Sequence, residues 1–249
     1  MMIAEPLQWM CALLGALMVG ISKAGITGLS LLSVALFTHV FPSSKQASGL
    51  VLPLLIFGDF VAVLSYREHT QWRYLWRLMP WTAAGVVLGY FALGHVSDRT
   101  VRIMIGVIIV SLCVLGYWRR YVTPQTPATA GSWHWTLAAA VGITAGFITL
   151  VANAAGPLMA IYLVAMRLPK MQFVGTVAVF FMVLNLFKVP FMVELGLITV
   201  QSFAFNLALA PAVLLGAFAG RWLLMRINQR LFEKLVLALS AIAGVLLIV

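Results

Sequence analysis

The sequence predicts an all-α integral membrane protein made of two related halves that form an inverted repeat. Each half is expected to open with a broken or re-entrant first segment and to continue with three spans, about 8–10 membrane segments in total. Three observations carry this expectation. The chain of 249 residues is 63% hydrophobic and only 9% charged, with a mean hydropathy of +1.06. That is more apolar surface than a water-soluble chain of this size can hide. Residues 15–89 are echoed in 141–220, and the two copies carry their positive charges on opposite loops, as halves of opposite orientation would.

Only helical spans or closed barrels satisfy the backbone in hydrocarbon. Long apolar runs without period-2 alternation select helices. The apolar blocks run 7–41, 47–66, 74–95, 101–118, 135–166, 173–193, 198–225 and 231–249. Most suit one crossing of a ~30 Å hydrocarbon core, which takes about 20 residues. Blocks 7–41 and 135–166 are too long for one crossing and are interrupted in the middle. The first break reads from Gly20 through Ser22, Lys23, Gly25 and Thr27 to Gly28, and the second from Asn153 to Pro157. Glycines and a proline disfavour a continuous helix at either place. Arms of about 15 residues span roughly 22 Å each, which favours hairpins that return to their own side. Residues 119–134, with Pro124, Pro127 and Gly131, form the linker between a first membrane repeat (1–118) and a second (135–249).

The internal repeat is legible residue by residue. At an offset of 126, Gly20 and Gly49 fall on Gly146 and Gly175, Asp59 on Asn185 and Glu68 on Glu194. After a five-residue slip, Pro80, Gly85, Gly89 and Arg99 fall on Pro211, Gly216, Gly220 and Arg230. The positive-inside rule then decides between topologies. With both interrupted blocks re-entrant, Arg67, Arg73, Arg77, Arg119, Arg120, Arg167, Lys170, Arg221, Arg226, Arg230 and Lys234 share a cytoplasmic face. Only Lys45, Arg99 and Arg102 face outward, as do both termini. Eight plain spans in parallel repeats are the alternative, and they divide the charges less cleanly.

"GISKAGITG" followed by "GLVLPLLIFGDFVAVLSYREHTQW", then "ANAAGPLMAIYL", "PKMQFVGTVAVFFMVLNLFKVPF" and "LGLIT", resemble in order the two halves of the TauE/SafE family of sulfite and organosulfur anion exporters. The resemblance spans essentially the whole chain. It implies a secondary transporter that exports small sulfur-containing anions, as a multi-pass protein of the inner, cytoplasmic membrane, and broken helices that rock one half against the other would supply alternating access. Lys23 and Thr27 stand where many members have a plain glycine run.

The breaks also supply the chemistry such an anion needs. Each exposes unpaired N–H groups at the start of a half-helix, where the helix dipole favours negative charge. Ser22, Lys23 and Thr27 from one tip, with Thr149, Asn153 and the backbone of Ala154 and Gly156 from the other, are the candidate substrate ligands. Asn185 and Lys188 join them from within a span. Lys23 either meets the anion or snorkels to an interface, and in the core it requires a partner. Asn153 either touches substrate or caps the following half-helix. Asp59 aligns one turn away from Lys188, so the two are expected to meet as an ion pair; otherwise Asp59 carries a proton in coupling.

Other functions fit less well. The net charge of +10 comes from Lys and Arg set singly between spans, which argues for lipid-facing topology signals and against nucleic acid. The carboxylates Glu5, Asp59, Glu68, Asp98, Glu194 and Glu233 do not cluster, so a lipid pyrophosphate phosphatase with re-entrant helices lacks its acid–base groups. No enzyme activity and no cofactor are expected. His39, His95 and His134 lack ligand spacing, so no metal is expected either. An anion channel and a structural membrane subunit stay open. Cys11 and Cys113 lie in apolar segments and are expected as free thiols, and no cleavable signal peptide is expected at the N-terminus. Trp72, Trp76, Trp81, Trp133 and Trp135 read as interfacial anchors. The paired glycines at 85/89 and 216/220 permit close helix packing, within the chain or in a homodimer.

Overall fold

The computed structural model describes residues 6–24, 29, 33, 36–37, 44–92, 135–166 and 168–248. Among them every regular element is a helix. These are α1 (Pro6–Ala24), α2 (Ser44–Tyr66) with a single 3-10 turn after it (Arg67–His69), α3 (Trp72–Ala92), α4 (Trp135–Ala152), α5 (Ala155–Ala165), α6 (Lys170–Glu194), α7 (Val200–Arg226) and α8 (Gln229–Ile248). The segment 101–118, the linker, Thr27 and the histidines at 39, 95 and 134 lie outside the described residues.

Among the described residues four stretches are long and apolar enough to cross a membrane: Pro6–Ala24, Gly49–His69, Lys170–Glu194 and Val200–Arg226. α3 and α8 have the length but open with Arg73 and Arg77, or with Arg230, Glu233 and Lys234. At 11 residues, α5 is on the order of 16 Å long and cannot cross. Solvent preference is inverted relative to a soluble protein. Trp76, Phe91, Val200, Leu215 and Phe218 are exposed, while Asp59, Thr176, Asn185, Lys188 and Asn206 are buried. An apolar exterior around a polar interior suits a lipid solvent.

α2 and α6 form the centre and run antiparallel. Gly49, near the start of α2, abuts Leu197 just beyond α6, and Gly175 in the first turns of α6 abuts Tyr66 at the end of α2. Around that second contact, Thr70 Oγ1 donates to Gly175 O (3.2 Å) and Gln71 N to Thr176 Oγ1 (3.0 Å). Asp59 lies ten residues beyond Gly49 and Asn185 ten beyond Gly175, on the order of 15 Å from each packed end. The two therefore meet midway.

α1 packs along α7 and α4 along α3, each pair in parallel and at backbone contact. Gly20 faces Val213, Gly216 faces Leu17 and Gly220 faces Ile21; in the other pair Gly146 faces Thr82, Gly85 faces Ile143 and Gly89 faces Phe147. The second set reproduces the first at the offsets of 126 and 131 read from the sequence. These glycines are thus used within the chain. Side chains would separate the helices, since at every one of these positions but Gly89 an added Cβ would overlap a facing backbone carbonyl.

One end of the bundle collects the positive charge. It holds Arg67 after α2, Arg73 and Arg77 in α3, Lys170 at the start of α6, Arg221 and Arg226 in α7, and Arg230 and Lys234 in α8. Lys170 Nζ donates to Leu224 O (3.0 Å) and Ile227 O (2.6 Å), capping α7. Gln229 Nε2 donates to Leu168 O (3.2 Å) and Glu233 Oε1 (2.8 Å), which ties α8 to the same end. α4 leaves this end beside α3, and α5 brings the chain back to it before Lys170. α2 starts at the opposite end, where α1 also starts beside α7.

Candidate functional site

The last described turn of α1 lies midway through the bundle, and α4 ends there. Lys23 lies in the last turn of α1, where a cation complements the negative end of the helix dipole. The carbonyl of Ala24 accepts a hydrogen bond from Tyr66 Oη at 2.9 Å, which fixes this helix end against α2. At the other tip Asn153 adopts φ 50°, the left-handed region that asparagine tolerates better than most residues. The reversal lets α5 begin at once. Its N-cap is Ala154, which offers no side-chain cap, and Pro157 stands in the first turn, where no N–H is missed.

Between the tips is a small cleft lined by Ser22, Lys23, Leu55, Asp59, Thr149, Asn153, Gly156, Val177, Ala178, Phe181 and Asn185. Its charges are ordered. Lys23 Nζ is 2.8 Å from Asp59 Oδ1 and 4.4 Å from the centroid of the Phe181 ring. Asn185 Nδ2 donates to Asp59 Oδ2 at 2.6 Å. A carboxylate can only accept, so this contact fixes the amide orientation of Asn185. Lys188 Nζ donates to Asn153 Oδ1 (2.6 Å), Thr149 O (3.0 Å) and Thr149 Oγ1 (3.2 Å).

Two expectations are corrected here. Asp59 pairs with Lys23, not with Lys188: the stem of Lys23 lies against Gly58, where an added Cβ would come within 3.0 Å of its Cγ. That glycine opens the way from α1 to the carboxylate. Lys188 is fully buried and does not line the cleft. Its three protons are directed to the α4–α5 tip, so it positions Thr149 and Asn153. Lys23 is likewise buried at 9% exposure with a carboxylate partner, which leaves no role for snorkelling. Asn153 turns its Oδ1 to Lys188 instead of capping α5.

The structure brings Ser22, Lys23, Thr149, Asn153, Gly156 and Asn185 around one cleft. Ala154 is buried at the tip as the N-cap of α5, while Thr27 is outside the described residues. The first tip presents a helix C-terminus with a lysine, and the second a helix N-terminus. The second offers the expected free N–H groups, and the start of the half-helix after the first break lies outside the described residues. Sequence reasoning missed Leu55, Val177, Ala178 and Phe181, because apolar side chains in a span carry no mark of facing a cleft. Gly58 beside Asp59 was the available signal for the route of Lys23.

Such a site can hold a small oxyanion. The Lys23 ammonium and the first-turn N–H groups of α5 supply donors, and two ammonium groups outweigh one carboxylate. The family model described as "Sulfite exporter TauE/SafE" matches residues 12–247. No curated protein and no solved structure matches the chain.

Proposed function

The chain belongs to the sulfite exporter TauE/SafE family, and on that premise we propose that it is a secondary transporter that moves small sulfur-containing anions, of the sulfite or sulfonate type, out across the cytoplasmic membrane. The observation that carries the reading is the cationic cleft between two helix ends midway along the bundle. Family membership makes this a membrane transport protein with an anionic substrate. The substrate type, direction and mechanism are our reading.

We read the architecture as an inverted repeat with two re-entrant hairpins. The repeat-related helices α2 and α6 run antiparallel, and the α4–α5 pair leaves and rejoins one end of the bundle. Both features support that arrangement over parallel repeats. The basic end is then cytoplasmic. Rocking of one unit against the other about the cleft provides alternating access. With the cytoplasm negative, outward movement of one negative charge is favoured by about 2.3 kcal/mol per 100 mV, so export needs no coupling ion.

Sidedness has a direct test. His69 and Leu195 are related by the offset of 126, and both are exposed. In a background without Cys11 and Cys113, Leu195→Cys is expected to react with an impermeant thiol reagent added to intact cells. His69→Cys is expected to react only after permeabilisation. Labelling of both from the same side would sink the inverted repeat.

The function is tested by potential-driven flux in proteoliposomes. Sulfite and small sulfonates are expected to show saturable flux that competes mutually and exceeds that of carboxylates of similar size. Flux that rises linearly with concentration would indicate a pore, and carboxylate preference would remove the sulfur-anion assignment.

A further inference from the structure

We propose that the cleft selects monoanions that bring their own hydrogen-bond donor, such as hydrogen sulfite or a hydroxyalkanesulfonate, over dianions and over sulfonates without a donor. The inference rests on the anion-transporter reading and specifies the substrate within it.

Its first observation is an acceptor without a donor. Asn185 is 1% exposed and lines the cleft. Its Nδ2 is committed to Asp59, and its Oδ1 has no hydrogen-bond partner among the described residues. An anion with only acceptor oxygens would set like partial charges against this carbonyl and leave it unsatisfied. A buried acceptor left that way is costly. A ligand that carries one O–H or N–H satisfies it while its anionic oxygens face Lys23 and the start of α5.

The second observation is charge. Asp59 cancels one of the two ammonium groups, Lys23 and Lys188, which leaves a formal excess of one positive charge among the described residues around the cleft. One negative charge neutralises it, and a second would be buried uncompensated. The third is the apolar wall of Leu55, Val177, Ala178 and Phe181. That wall suits a weakly hydrated monoanion and offers nothing to replace the water shell of a dianion.

The test compares isosteres. Hydroxyethanesulfonate and propanesulfonate share one sulfonate head and differ by a hydroxyl in place of a methyl. In proteoliposomes the wild type is expected to move hydroxyethanesulfonate at least about tenfold more efficiently, as expected of a site with a buried acceptor to satisfy. A sulfocarboxylate dianion of similar length is expected to move poorly. In Asn185→Leu the hydroxyl preference should collapse toward unity. If that variant does not fold, the wild-type ratio decides alone. Equal transport of the two isosteres, or preference for the dianion, overturns this inference and leaves the anion transporter standing. Absence of flux for every anion in the panel overturns both.

Discussion

Lys23→Met is expected to abolish anion flux and to destabilise the protein by about 3–5 kcal/mol, because it strands Asp59 as an uncompensated buried charge. Asp59 is fully buried and its Oδ1 lies 2.8 Å from the ammonium. Among the described residues Asn185 alone would remain to satisfy the carboxylate. Asp59→Asn is expected to destabilise comparably through the reverse imbalance, a lysine buried at 9% exposure without its carboxylate. Combining the two substitutions removes both charges at once. The double variant should recover most of the lost stability while flux stays absent, since the cationic ligand is gone. Thermal unfolding in detergent, read beside proteoliposome flux, separates the outcomes. A double variant no more stable than either single one would mean that the pair is not coupled. Flux surviving in Lys23→Met would remove Lys23 from the substrate site.

Gly20→Val and Gly146→Val are the second pair of large expected effects. At each position an added Cβ would overlap a backbone carbonyl of the facing helix, Val213 in one case and Thr82 in the other. A backbone cannot rotate aside as a side chain can, so the helices must separate along their length. Overpacking of this kind is expected to cost upwards of about 3 kcal/mol, enough to prevent accumulation of folded protein. The two variants should fail alike. Gly196→Ala is the control. Gly196 has φ 66° with nothing within 4 Å of an added Cβ, so it should lose only the about 1–2 kcal/mol of a left-handed alanine. Size-exclusion profiles in mild detergent report the difference. A folded, monodisperse Gly146→Val would mean that α3 and α4 do not need backbone contact.

Much of this was legible in the sequence because it depends on linear spacing. The offset of 126 set Asp59 over Asn185, and the structure joins them by a hydrogen bond. The interruptions at 20–28 and 153–157 marked chain segments too long to cross once, and α4 and α5 are the separate short helices that result. What spacing could not give was rotation about helix axes and the depth of a helix end. Placing Lys188 one turn from Asp59 assumed that the two faced each other. In fact α6 turns Lys188 toward the α4–α5 tip, and α1 reaches deep enough for Lys23 to take the carboxylate. The apolar wall of the cleft was illegible for a different reason: Phe181 and Val177 look the same in sequence whether they face lipid, a helix or a ligand.

The crossed packing of α1 on α7 and α4 on α3 has a consequence for how the chain divides. Each broken helix of one sequence half rests its glycine on a helix of the other half. A polypeptide cut in the linker should therefore yield two fragments that fail separately and complement one another when co-expressed. Nor should two copies of one fragment replace the missing partner. Where the first half sets Lys23 and Asp59, the second sets Thr149 and Asn185, and its own lysine stands where the first half has Ala62. The two halves place their glycines alike, but each supplies a different part of the cleft's polar lining, and neither is expected to stand in for the other.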